Sequence, residues 1–105
     1  MNTLEYFTKK FNIDLNSNVI QIKNMNREDL AKLFSELGFR EGAEIGTLRG
    51  DYAEVLCRNI KDLHLYCVDP YLAYKVYVRW HTQEELDQAY LIAQDKVKDY
   101  NVKFI

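Results

Sequence analysis

The chain holds one proline, two cysteines and four glycines in 105 residues, and each scarcity removes a class of protein. Pro70 is the only proline, so no proline-rich linker divides the chain. With no internal repeat or low-complexity tract either, a single domain is expected. Two cysteines cannot build a disulfide framework, and Cys57 and Cys67 are expected as reduced core thiols. Neither Cys-x-x-Cys nor His-x-x-x-His spacing occurs, which argues against a metal site. No apolar run approaches the roughly eighteen residues of a membrane span, and Met1 to Glu5 lacks the cationic and apolar regions of a secretory signal. A cytoplasmic protein is the expectation. An excess of charge of one sign is missing too. The formal net charge is -2 and the pI is near 5.6, which leaves no basic footprint for nucleic-acid phosphates.

What is present is ordinary globular material, 48% hydrophobic and 29% charged, at the small end of the range in which one core is stabilising. Leu4, Phe7 and Phe11 recur at helical spacing behind a Thr3 cap, and Val19 to Ile22 reads as a brief extended segment. Asn26, with Asp29 three residues on, caps a helix whose face is Leu30, Leu33, Phe34 and Leu37 and which Gly38 closes. Residues 1–38 are thus a helical lead-in. Residues 43–105 then alternate: a short central strand Ala43 to Ile45, a helix Asp51 to Asn59 burying Tyr52, Val55 and Leu56, and a strand Leu65 to Val68. Thr82 and Glu85 begin a long helix with the stripe Leu86, Ala89, Tyr90, Ala93, Val97 and Tyr100, and Val102 to Ile105 reads as a third strand. The pattern predicts an α/β fold, a Rossmann-like parallel sheet with helices on both faces.

The chemistry concentrates at the two strand ends. Ala43-Glu44-Ile45-Gly46-Thr47-Leu48-Arg49-Gly50-Asp51 reads as a strand that stops at a glycine, crosses a tight loop and enters a helix. Gly46 and Gly50 let a ligand approach the main chain, and loop amides at a helix start can bind a polar or anionic group. Asp69 ends the next strand about 20 residues on, where such units place a carboxylate on ribose hydroxyls. A dinucleotide fingerprint needs G-x-G-x-x-G, whereas Leu48 stands where the middle glycine would bring the backbone against a pyrophosphate. Glu44 repels a pyrophosphate and attracts an ammonium. A ligand with both a ribose and an amino-acid head fits these residues.

Glu44-Ile45-Gly46-Thr47-Leu48-Arg49-Gly50 and Val68-Asp69-Pro70-Tyr71 resemble, in order, the first two motifs of class I S-adenosylmethionine-dependent methyltransferases. The similarity is to a small bacterial and phage-type branch in which V-D-P-aromatic precedes a tyrosine-rich segment and a Q-E-E-L-D helix, here Tyr71 through Asp87. It covers the chain from about Val19 to its end. The resemblance implies S-adenosylmethionine as cofactor, with Glu44 near the methionine ammonium, Gly46, Thr47, Leu48 and Gly50 around its carboxylate and ribose, Asp69 on the ribose hydroxyls, and Pro70 and Tyr71 beside the adenine. One departure is Leu48, where many members have a third glycine. The family's sheet has seven strands and its acceptor residues lie at and beyond the fourth. The chain is therefore expected to be truncated after about the third strand, inactive alone, and silent about an acceptor of small-molecule or glycan type. No covalent catalytic residue is apparent.

Two rival functions remain at this point, a non-catalytic interaction module with the same fold and a nucleotide-dependent oxidoreductase. Tyr74, Tyr77 and Trp80 read as a surface segment covering the sheet edge, Arg49 as a solvated charge, and His81, beside Arg79 and Trp80, as a polar residue preceding a helix rather than a general base. If the strand order is third, second, first, Glu44 and its neighbours lie on an open edge, which suggests a homodimer paired across that edge.

Overall fold

The computed structural model describes residues 1–74 and 81–105, so Tyr77, Arg79 and Trp80 lie outside the described residues. Helices α1 (Thr3–Phe11) and α2 (Arg27–Glu36) precede strand β1 (Glu41–Ile45). Helix α3 (Asp51–Asn59), strand β2 (His64–Val68), helix α4 (Gln83–Lys96) and strand β3 (Asn101–Phe104) follow. The three strands form one parallel sheet in the order β1-β2-β3.

The core lies on one face of that sheet. Leu65 and Cys67 of β2 are essentially inaccessible and meet Ala31 of α2, Ala53, Leu56 and Cys57 of α3, and Val97 after α4, with Val102 and Phe104 of β3 packed beside them. Burying a leucine such as Leu65 is worth about 1.5–3 kcal/mol. Alternation along the strands sends Ala43 and Ile45, then Asn101 and Lys103, to the opposite face, where they are exposed. The expectation of helices on both faces is thus corrected: α2, α3 and the end of α4 contribute to the same core, and no helix among the described residues covers the other face. The strand order is the one expected to leave Glu44 on an open edge: among the described residues β1 pairs with β2 alone, so it is an edge strand and not the central strand that the motif by itself suggested.

Local chemistry sets the element ends. α2 starts at the expected Asn26 and Asp29 capping box and stops at Gly38, whose φ is 81°. α1 is capped by Asn2, not Thr3, through a box with Glu5. Its apolar stripe is not buried: Leu4 is 60% exposed, and Phe7 and Phe11 meet each other at a tilt with centroids 5.7 Å apart. Glu36 ties it to α2 by accepting from Tyr6 and Lys10.

Val19 to Ile22 forms no strand. Turns in which Asp14 accepts from the amides of Asn16 and Ser17 precede it, and Val19 and Ile20 face solvent without a sheet partner. In α3 the buried positions are Ala53, Leu56 and Cys57, while Tyr52 and Val55 are half-buried at its margin. Tyr52 instead joins α2, donating to the Arg27 carbonyl at 2.9 Å beneath the Arg27 guanidinium. α4 ends at Lys96, too early to bury Tyr100, whose amide closes a turn on Val97. Among the described helices none is long and apolar enough to cross a membrane.

Candidate functional site

Strands β1 and β2 end level with each other. Glu44 pairs with Cys67 and Ile45 with Val68, and the Gly46 amide extends the ladder by donating to the Val68 carbonyl at 2.8 Å. This register sets the loop that follows β1 beside Asp69, at the carboxyl edge where open α/β sheets bind ligands.

The loop is then locked by Asp69. Its two carboxylate oxygens accept from the backbone amides of Leu48 and Tyr71, each at 2.9 Å. The Tyr71 hydroxyl donates back to the Leu48 carbonyl at 2.7 Å. Asp69, Leu48 and Tyr71 form a closed ring of three hydrogen bonds. Leu48 (φ 48°) and Tyr71 (φ 46°) both occupy the left-handed region, where the other non-glycines among the described residues are Asn12, Asn24 and Asp62, types that tolerate it. Strain of this kind persists only where surrounding contacts enforce it.

The two loop glycines serve different ends. Gly50 (φ 78°) caps α3 without a side-chain bond, and a Cβ there would stand 3.0 Å from the Ala93 Cα, so it lets α3 and α4 touch. Lys96 of α4 also pairs with Asp51. Gly46 (φ 85°) would meet nothing within 4 Å, so this is the glycine with open space above its backbone.

Glu44 lies half-buried on the core side of β1, and its Oε1 has no hydrogen-bond partner among the described residues. Thr47, 5% exposed, has an equally unpartnered buried hydroxyl. Burial pushes the Glu44 carboxyl above its ordinary 4.5, and the Asp69 charge adds to the rise, while Thr47 and the Arg27 charge oppose it. Neighbouring thiols feel the same burial: Cys57 is pushed up to about 11 and Cys67 is raised. The Thr47 hydroxyl lies close enough to favour the charged forms of both Glu44 and Cys67 without forming a well-aligned hydrogen bond, so the pair retains capacity for a cationic or hydrogen-bonding group.

Beyond Asp69, a cleft of about 440 Å³ opens between Asp69, Pro70, Tyr71, Asp87, Tyr90 and Phe104. Tyr71 stacks on Tyr90 with centroids 4.7 Å apart, and Tyr90 meets Phe104 edge-on at 5.4 Å. Burial above all, then the Asp69 charge, pushes the Tyr71 phenol far up, so it stays a donor. Tyr71 is therefore the wall of the cleft, with its hydroxyl turned back to the loop.

The structure brings together Glu44, Gly46, Thr47, Leu48, Asp69, Pro70 and Tyr71, while Gly50 serves helix packing. Arg49 is exposed, and His81, just ahead of α4, lies 3.3 Å from Glu85 of that helix. Gln83, Tyr90 and Phe104 also support the site, and no local spacing signals them because their contacts cross between elements. Among the described residues no group of three His, Cys, Asp or Glu side chains is placed to hold a metal. No family model, curated protein or solved structure matches the chain.

Proposed function

We propose that the chain is the cofactor-binding part of an S-adenosylmethionine-dependent methyltransferase. The observation that carries this reading is the Oε1 of Glu44, buried with no hydrogen-bond partner among the described residues, near the end of β1, two residues before the open Gly46 and opposite Cys67, which precedes Asp69 by two. Glu44 and Thr47 would take an ammonium end, Gly46 would admit it to the backbone, and Asp69 would accept from ribose hydroxyls. Each Asp69 oxygen keeps acceptor capacity beyond the one amide it already holds. The residues present therefore fit the cofactor.

A bound S-adenosylmethionine supplies an electrophilic methyl group on a sulfonium. The chain's own part is to fix that group in line with an incoming nucleophile, which is positioning chemistry and requires no covalent residue. A pyrophosphate cofactor fits less well. The Leu48 amide is committed to Asp69, and the Glu44 carboxylate would face the phosphates. The interaction-module reading draws on one observation, the exposed edge strand β1 with Ile45 77% accessible.

Calorimetric titration with S-adenosylmethionine, S-adenosylhomocysteine and NAD tests the proposal. Binding of the two methionine derivatives is expected. Response to NAD alone would reverse the reading, and silence to all three would favour the interaction module.

A further inference from the structure

Gln83 is the first residue of α4, and its side-chain amide makes two hydrogen bonds to the segment after Asp69 and one within its own helix. Nε2 donates to the Tyr71 carbonyl at 2.8 Å and to Asp87 Oδ1 at 2.9 Å, while Oε1 accepts from the Ala73 amide at 3.0 Å. A glutamine is needed for this set, because only a carboxamide offers two donors and an acceptor from one planar group. Tyr71 is thereby gripped at its carbonyl by α4, at its amide by Asp69 and at its hydroxyl by Leu48.

We propose that Gln83 is a positioning residue for the glycine loop, acting through Tyr71 on Leu48 and on the Asp69 carboxylate. Left alone, Tyr71 and Leu48 would leave the left-handed region, since neither side chain favours it. The hydrogen-bond ring ties both residues to the end of β2 through Asp69, and Tyr90 of α4 packs against the Tyr71 ring. Gln83 adds the polar grip that fixes the Tyr71 backbone, from a helix anchored by buried Leu86, Ala89 and Ala93. Loss of its grip frees Tyr71 to relax, removes the hydroxyl from the Leu48 carbonyl and lets the Asp69 carboxylate turn. The consequence for a ligand rests on the cofactor reading above; the consequence for the loop does not.

The test separates the two. Amide hydrogen exchange of Leu48, read by NMR on the ligand-free 105-residue chain, reports the ring directly. In Gln83→Ala and in Tyr71→Phe the Leu48 amide is expected to exchange about tenfold faster, with the α4 core amides unchanged. The double variant should be no faster than the faster single variant, because both break one chain of contacts. Gln83→Glu keeps the acceptor for Ala73 but has no N–H for Tyr71, so it should match Gln83→Ala. Unchanged Leu48 exchange in Gln83→Ala, wild-type exchange in Gln83→Glu, or additive effects in the double variant would each overturn the proposal. Titration with S-adenosylhomocysteine is a separate arm. Binding about fivefold weaker in Gln83→Ala extends the relay to the ligand, undiminished binding there confines it to the loop and overturns the ligand half, and absence of binding in wild type removes the cofactor reading while the exchange result stands.

Discussion

Asp69 accepts a hydrogen bond from the backbone amide of Leu48, 21 positions earlier, at 2.9 Å, and this contact makes the loop after β1 and the end of β2 one structural unit. The carboxylate that would meet a ligand is also the one that shapes the ligand's loop.

Removing that carboxylate is therefore expected to cost stability as well as binding. Asp69→Ala leaves the amides of Leu48 and Tyr71 without their acceptor in a half-buried place, a loss of roughly 2 kcal/mol. Arg49→Ala removes an exposed charge and should stay within about 0.5 kcal/mol. Denaturant unfolding and cofactor titration of both variants check this. Equal losses, or a larger one at Arg49, would show that the site is misassigned.

Leu48 allows the backbone strain to be measured. Leu48→Gly and Leu48→Ala remove the same side-chain contacts, but only glycine occupies φ 48° without penalty. The left-handed cost for alanine is about 1–2 kcal/mol, and the extra unfolded-state freedom of glycine returns roughly half of it. Leu48→Gly is expected to be more stable than Leu48→Ala by about 0.5–1 kcal/mol in matched urea titrations. The opposite order would mean that the loop conformation is not held as described.

The strands, the three later helices and the order of the motifs were readable because each rests on local pattern: alternating apolar residues, the Asn26 and Thr82 caps, and glycines at strand ends. The open face of the sheet was legible only through the strand order, since right-handed crossovers put successive helices on one face when the strands run in sequence, and periodicity within an element does not give that order. The commitment of Asp69 to Leu48 and Tyr71 was not legible, because a carboxylate after a strand looks the same whether it faces a ligand or a backbone amide. Val19 to Ile22 failed for the related reason that an extended, apolar stretch becomes a strand only when an edge is there to receive it.

The glycines should separate packing from ligand access. Gly50→Ala combines the left-handed penalty with a Cβ pressed against the backbone of Ala93, so a loss of about 3 kcal/mol is expected. Gly46→Ala carries only the conformational penalty, about 1 kcal/mol, because nothing lies within 4 Å of the added carbon. Binding should respond differently, with Gly46→Ala closing the approach to the backbone while the chain stays folded. Thermal melts alongside calorimetry decide. A Gly46→Ala chain that binds like wild type would place the ligand elsewhere.

Glu44 gives the site a pH dependence of known sign. Burial raises its native pKa above the ordinary 4.5, so the folded chain holds this proton more tightly than the unfolded chain does. The stability it contributes is full below the unfolded value and is lost as pH rises through the native value. Glu44→Gln, which never ionises, should therefore melt a few degrees higher than wild type at pH 7, a small effect because water screens a half-exposed group. The two should converge in acid. A cationic ligand needs the carboxylate, so wild-type affinity should fall as pH drops through the raised value and Glu44→Gln should bind weakly throughout. A variant less stable than wild type at pH 7 would contradict the burial cost.

The edge strand carries the last prediction. Among the described residues β1 pairs with β2 alone, so the backbone groups along its other side are open to another chain. Its end is apolar, with Ile45 77% exposed and Ala43 also exposed on the open face, and neither a lysine nor a proline blunts it. Ile105, 66% exposed, continues the same face past β3, where its amide donates to Cys67. Apolar surface of this kind next to unpaired strand backbone favours association. The 105-residue chain is expected to self-associate with rising concentration, and Ile45→Lys should shift it toward monomer by placing a charge on the edge. Leu91→Lys, at an exposed leucine within helix α4 and not on a strand, is the control and should leave association unchanged. Light scattering and melting over a hundredfold range of concentration, on the order needed to populate weak dimers, decide the matter. A cooperatively melting monomer whose transition ignores concentration, or equal effects of the two lysines, would rule out pairing through β1.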